Sequence, residues 1–368
     1  MTAPLRVVVL GAGTVGREVV RALLERGDAL RPADGAALEL AGVTVRDLAK
    51  AVAGGIPEAL LSDAPAHLVA DPDVDVVVEL MGGDEPARTL IAAALGAGKP
   101  VVTANKHVLA HHGAELEAIA RRTGAALRFE AAVGGGIPVL TSLAADLASN
   151  EIERVRGIVN GTTNYILSAM ASEGRAYADV LADAQRAGYA EADPSADVEG
   201  LDAVNKLVIL ARLAFGAWLD PAEIPNRNGG DPPGITGVTQ ADLAAAGESG
   251  LAIKLIAEAA RGKAGAGDTI QAGVSSVALS QWSELAWIGG VTNCIEFDAV
   301  PLGRVGFTGP GAGGPATASA VLGDLLAVAR GGGSTWAGLP EAGSGRVATL
   351  ARKDSFDAPS GARYPVLP

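Results

Sequence analysis

Residues 5–10, LRVVVL, form a short unbroken apolar run that stops at a glycine, the pattern of a strand buried on both faces. A polar-apolar helical run, REVVRALLER, follows the turn. Further strand-like runs lie at VTVRDL (43–48), VDVVVEL (74–80), KPVVTANK (99–106) and ALRFEAAV (126–133), with helical stretches between them. Alternation of this kind predicts a parallel sheet covered by helices on both faces. After FEAAVGGGIPVL the rhythm changes. Strand-like RVRGIVN, DTIQAGVSSVAL, GVTNCIEFDAV and RVGFTG are separated by helical runs of uneven length, which predicts a mixed or antiparallel sheet with helices on one face and a dimer surface. The segment 309–330, GPGAGGPATASAVLGDLLAVAR, reads as a glycine turn and an amphipathic helix that returns to the first sheet.

The turn after the first strand is GAGTVG, and its context turns a weak motif into a strong one. Gly11 permits the tight turn, Gly13 lets the backbone approach a pyrophosphate, and Gly16 lets helix and strand pack closely. Thr14 and Val15 open a helix whose amides face the phosphates. The expected fold class is therefore α/β, a Rossmann-type doubly wound parallel sheet with a second α+β domain of mixed sheet and helices for substrate binding and dimerisation. The expected boundaries are 1–135 with 310–330 for the first domain, 136–309 for the second, and 331–368 for a glycine- and proline-rich tail. The second strand is expected to end in Arg46 and Asp47, with Lys50 close behind. Asp47 would suit the ribose hydroxyl of NAD, whereas Arg46 and Lys50 would suit the 2′-phosphate of NADP. Both signals are present; two cations near one phosphate favour NADP, with NAD left open. Thr103 and Lys106 fall at the carboxyl end of a strand, where ligands lie in such sheets. A lysine at a helix N-terminus opposes the helix dipole, which favours a functional role for Lys106 over a merely solvated one.

The most chemically loaded stretch is AEADPSADVEGLDAVNKLVILARLAF. Asp202 and Lys206 share a helix face at i,i+4 spacing, where an acid-rich loop containing Glu191, Asp193, Asp197 and Glu199 meets an apolar wall. A surface ion pair is the plain reading; a lysine desolvated beside a carboxylate is a proton donor. His107 and His111 are also i,i+4, but nothing nearby completes a transition-metal site.

Composition narrows the partners. The 368 residues suffice for two domains, and 49% are hydrophobic. With 42 acidic and 29 basic side chains the formal charge is −13, with no cationic stripe, so a nucleic-acid or anionic-membrane partner is not expected. The absence of a charged-then-apolar leader and of an apolar run near ~20 residues predicts a cytoplasmic protein. Cys294 is the only cysteine, which excludes an intramolecular disulfide, and its setting reads as core.

GAGTVG, VVTANKHVLA, FEAAVGGGIPVL, GIVNGTTNYIL, AGYAEADPSADVEGLDAVNKLVILARLAFG and GPGAGGPATASAV stand in an order and spacing that resemble homoserine dehydrogenases over roughly residues 5–330. The resemblance implies NAD(P)-dependent interconversion of L-homoserine and L-aspartate 4-semialdehyde, and the mixed sheet is expected to build a homodimer. It implies Lys206 as the proton donor oriented by Asp202, Lys106 as a second active-site lysine, and Glu191 and Asp197 at the substrate's amino group. It further implies cofactor contacts at Thr103 and Gly311, and a sodium or other monovalent cation held mainly by backbone oxygens of Glu130, Val133, Gly135 and Ile137. A plain interdomain hinge is the alternative reading of that last turn. The tail is too short for the regulatory ACT domain of longer relatives, so threonine inhibition through one is not expected. The competing functions are a related dehydrogenase of another small amino acid, with different pocket acids, and a dinucleotide sensor, which would not need both lysines.

Overall fold

The computed structural model describes all residues except 1–2, 28–29, 31, 229, 263–268, 351–353 and 368. The chain divides into two compact units, one of residues 1–145 with 312–340 and one of residues 146–311 with 341–368.

The first unit holds six parallel strands: β1 (Leu5–Leu10), β2 (Leu38–Thr44), β3 (Leu61–Ser62), β4 (Val76–Glu79), β5 (Val101–Thr103) and β6 (Leu127–Arg128). Their order, β3-β2-β1-β4-β5-β6, is the doubly wound arrangement of dinucleotide-binding sheets, with the strand order reversing next to β1. Helices α1 (Thr14–Arg26), α2 (Leu48–Ala53), α3 (Pro65–Ala70), α4 (Ala87–Gly96), α5 (Lys106–Thr123) and α6 (Val139–Ala144) belong to it, as does the late helix Gly314–Ala329. Val7, Val9, Val19, Val20, Val76 and Val78 form its core together with Ala318, Val321, Leu325 and Val328 from that late helix. The valines of β1 and β4 are fully buried, which explains why these strands show no alternation.

The second strand is a correction. It spans Leu38–Thr44, not 43–48, and residues Arg46 and Asp47 lie beyond its end. Asp47 instead caps α2, its carboxylate accepting the Lys50 amide at 2.9 Å, so the local polar sequence starts a helix and ends the strand.

In the second unit β7 (Glu151–Ile158) is followed by α7 (Gly161–Glu173), α8 (Tyr177–Arg186), α9 (Ser195–Val198), α10 (Leu201–Phe215), β8 (Ala217–Trp218) and α11 (Gln240–Glu248). Then come β9 (Leu251–Arg261), β10 (Thr269–Ser280), β11 (Thr292–Val300), β12 (Gly303–Pro310), β13 (Gly343–Ser344), β14 (Arg346–Ala348), β15 (Ser355–Asp357) and β16 (Arg363–Leu367). The sheet is mixed, ordered β12-β11-β7-β9-β10-β16-β15, with β14 also on β10. Its central strands pair antiparallel, whereas β14 and β16 lie parallel to β10. The tail is thus no single segment: 331–340 joins the first unit and its later strands cover the β10 edge. Buried Asp242 of α11 fastens it, accepting from Ser360 Oγ at 2.9 Å and Tyr364 Oη at 3.1 Å. Among the described residues no helix is long and apolar enough to cross a membrane.

Candidate active site

The β1–α1 turn is built for close approach. Gly11 has φ +98°, and a Cβ there would lie 2.8 Å from the Leu80 carbonyl oxygen. A Cβ on Gly16 would sit 2.0 Å from the Gly11 carbonyl oxygen, so only glycine lets the helix start this near the strand. A Cβ on Gly13, by contrast, would meet nothing within 4 Å, and Gly13, at the N-cap of α1, has no side chain to cap it. Thr14 and Val15 form its first turn, which carries no acidic residue. The helix Gly314–Ala329 also starts without a side-chain cap, and a Cβ on Gly314 would lie 3.0 Å from the Thr14 carbonyl oxygen. Two uncapped helix N-termini therefore lie side by side in the first unit, an arrangement suited to an anionic pyrophosphate.

At the carboxyl ends of β4 and β5 a buried network shapes the neighbouring loops. Glu79, fully buried, accepts from the Thr103 hydroxyl at 2.6 Å and from the Met81 and Gly82 amides at 2.8 and 3.3 Å. Burial raises its pKa, against the opposing pull of these donors. Thr103 Oγ1 in turn accepts the Asn105 amide at 3.0 Å, and Asn105 both donates to the Gly83 carbonyl and caps α5. The Thr103 side chain is therefore turned inward, and the whole residue is buried. Lys106, half-buried, is the first residue of α5. Arg46 and Lys50 are exposed beyond β2.

The turn at 130–137 is buried. Gly134 and Gly135 have φ +74° and +56°, and both carboxylate oxygens of Glu130 are spent on the Leu140 and Thr141 amides at 2.8 and 2.7 Å, capping α6. A cation would therefore have to be faced by main-chain oxygens of Glu130, Val133, Gly135 and Ile137, and the Ile137 carbonyl already accepts the Val139 amide at 2.8 Å. His107 and His111 stack with ring centroids 4.3 Å apart, and burial followed by the His111 charge lowers the His107 pKa. Among the described residues no group of three or more His, Cys, Asp or Glu side chains is placed to hold a metal.

In the second unit, α10 is buried over almost its whole circumference. Asp202 and Lys206 are 6% and 7% exposed, so theirs is no surface pair. Lys206 Nζ donates to Asp202 Oδ2 and to the Val159 carbonyl, each at 2.7 Å. Asp197, on α9, is brought to the same point by Asn160, whose amide donates to Asp197 Oδ1 at 2.7 Å and Asp202 Oδ2 at 2.9 Å. Glu191 lies exposed in the loop before α9. Gly311 follows β12, packed so tightly that a Cβ would fall 2.1 Å from the Asn293 side chain. Cys294 is buried in β11 and its thiol pKa is pushed up to about 12, chiefly by burial, which removes it as a nucleophile near neutral pH. Sequence reading missed Asn160, Glu79 and Asn105. For Asn160 the sequence signals only a helix cap, an asparagine between a strand and a helical run beginning Gly-Thr-Thr.

The family profile described as homoserine dehydrogenase, NAD binding domain, matches residues 11–130, and the homoserine dehydrogenase profile matches residues 138–326. The chain belongs to the homoserine dehydrogenase family. The homoserine dehydrogenase of Corynebacterium glutamicum is 46% identical over 353 residues, 93% of this chain and 78% of that protein. The crystal structure of the Thiobacillus denitrificans homoserine dehydrogenase superimposes with a TM-score of 0.85 at 38% identity, covering 94% of this chain and 80% of that one. A hyperthermophilic archaeal homoserine dehydrogenase in complex with NADPH is similar at TM-score 0.71 and 28% identity, over 89% and 97% of the two chains. As a homoserine dehydrogenase the protein is an NAD(P)-dependent oxidoreductase acting on a CH–OH group, interconverting L-homoserine and L-aspartate 4-semialdehyde. The two competing functions raised by the sequence fall away.

Proposed function

We propose that Lys206 is the group that moves the proton in this reaction, and the observation that carries the reading is its buried pairing with Asp202 at 2.7 Å. When bound, the nicotinamide accepts a hydride from homoserine or returns one to the semialdehyde. Toward the semialdehyde, Lys206 donates a proton to the carbonyl oxygen; toward homoserine oxidation it takes the hydroxyl proton. Asp202 and the Val159 carbonyl hold the ammonium in one direction, so little reorientation is needed at the moment of transfer. Asp197 and Glu191 take the substrate's ammonium, and Lys106 serves as a second active-site lysine.

The cofactor is NADP. Gly11, Gly13, Thr14, Val15 and Gly16 hold its pyrophosphate, and Thr103, Lys106 and Gly311 make further contacts. Arg46 and Lys50 take the 2′-phosphate, supported by the capping role that occupies Asp47 and by the NADPH complex of the archaeal relative. Main-chain oxygens of Glu130, Val133, Gly135 and Ile137 suit a monovalent cation, because a neutral carbonyl set matches a single hard charge. The first unit serves as the dinucleotide-binding domain and the second for substrate and dimerisation, in a cytoplasmic homodimer.

The test follows reduced nicotinamide absorbance with L-homoserine and NADP, for the wild type and Lys206→Ala. The expected result is a loss of kcat with nearly unchanged NADP affinity, because the proton is moved only in the transition state. Near-normal turnover of the variant would remove Lys206 from the mechanism.

A further inference from the structure

We propose that Asn160 is a positioning residue of the proton-transfer centre, one side-chain amide that ties Asp197 to Asp202 and, through Asp202, tunes the charge of Lys206. This rests on the reading of Lys206 as the proton carrier.

Asn160 is 4% exposed and stands at the junction of β7 and α7. Its Oδ1 accepts from the Thr163 amide at 2.9 Å and lies 3.0 Å from the Thr163 hydroxyl, which donates to it, capping α7. Its Nδ2 donates to the two carboxylates at 2.7 and 2.9 Å. These partners fix the amide's orientation: a flip would turn its oxygen on two carboxylate oxygens and its NH2 group on the Thr163 amide. Capping alone does not call for asparagine, since serine and aspartate cap about as well. An amide alone combines an oxygen for the cap with two hydrogens for two carboxylates.

The arrangement has a direct electrostatic consequence. Each carboxylate accepts a hydrogen bond from a neutral donor, which favours its charged form beside a like charge. Asp202 Oδ2 divides itself between Asn160 and Lys206, which weakens its hold on the ammonium and eases the departure of the lysine's proton. The preceding residue supplies the other grip, the Val159 carbonyl on Lys206 Nζ. Two consecutive residues at one strand–helix junction therefore position both the lysine and its counter-ion.

Asn160→Ser and Asn160→Asp both keep an oxygen for the cap and separate capping from positioning. Homoserine oxidation with NADP is measured from pH 6 to 10 for both variants, for Lys206→Ala, and for Asn160→Ser combined with Lys206→Ala. Asn160→Ser should lower kcat on the order of 10- to 100-fold and raise the homoserine KM, with the NADP KM within about twofold. Asn160→Asp sets a third carboxyl against Asp197 and Asp202, whose like charges raise its pKa; as it ionises it favours the Lys206 ammonium, so the acidic limb of kcat should move up. On the Lys206→Ala background, Asn160→Ser should add little, because both act through one group. An unmoved limb in Asn160→Asp, near-normal turnover in Asn160→Ser, or full additivity in the double variant would each reduce Asn160 to a helix cap. Should Asn160→Asp not fold, the serine variants decide. Normal turnover by Lys206→Ala alone would overturn the underlying reading, and that result stands apart from the Asn160 comparisons.

Discussion

Lys254 offers a test of how the second unit handles a buried charge. It lies in β9 at 6% exposure, and Nζ donates to Asn164 Oδ1 at 3.0 Å, Ser168 Oγ at 3.1 Å and the Ile288 carbonyl at 2.7 Å. All three acceptors are neutral, and burial pulls the ammonium pKa from 10.5 down to about 8. Below pH 8 the folded and unfolded chains both carry the proton, and the folded state bears the desolvation cost. Between about 8 and 10.5 only the unfolded chain keeps it, so this group makes stability rise with pH across that window. At about 1.4 kcal/mol per pH unit the full rise is about 3 kcal/mol. Lys254→Met removes the titration while keeping similar bulk. The acceptors it leaves without a donor cost about 1–3 kcal/mol each, but that cost does not change with pH. Urea unfolding of wild type and variant at pH 7 and pH 10 should therefore show the stability difference moving toward the wild type by about 2–3 kcal/mol. Parallel pH dependences would refute the argument and mean that Lys254 titrates like an exposed lysine. The stake reaches beyond stability, because Asn164 also donates to the Gly290 and Thr292 carbonyls and so fixes α7, the helix that Asn160 caps.

Two further outcomes follow from the first unit. Arg46→Ala should raise the NADP KM about 10- to 100-fold, the value of one charge-assisted hydrogen bond, while changing the NAD KM little; equal losses would exclude contact with the 2′-phosphate. Gly16→Ala would place a Cβ 2.0 Å from the Gly11 carbonyl oxygen, so the turn must shift. It should cost about 1–3 kcal/mol of stability and weaken NADPH binding in a fluorescence titration, and unchanged affinity would show that the turn does not shape the cofactor site.

What the sequence made legible divides along physical lines. β1 was readable because a both-faces-buried strand is a continuous apolar run, here Leu5–Leu10, ended by a glycine that the turn requires. β9 does not read as a strand. LAIKLIAEAAR is rich in alanine and carries Lys254, Glu258 and Arg261 at helical spacings, yet it lies between β7 and β10, where pairing on both edges outweighs local propensity. The bounds of β2 failed for a local reason: VTVRDL looks extended, but Asp47 captures the Lys50 amide and begins a helix. The site shows the same division. Asp202 and Lys206 lie one helical turn apart, so their meeting was visible in the spacing alone. Asn160 precedes Asp202 by 42 positions, and no periodicity joins a strand–helix junction to the face of a later helix. Only the packing of α10 against β7 makes that connection, which is why the carboxylate and lysine could be named from the sequence while the amide that holds them required the fold.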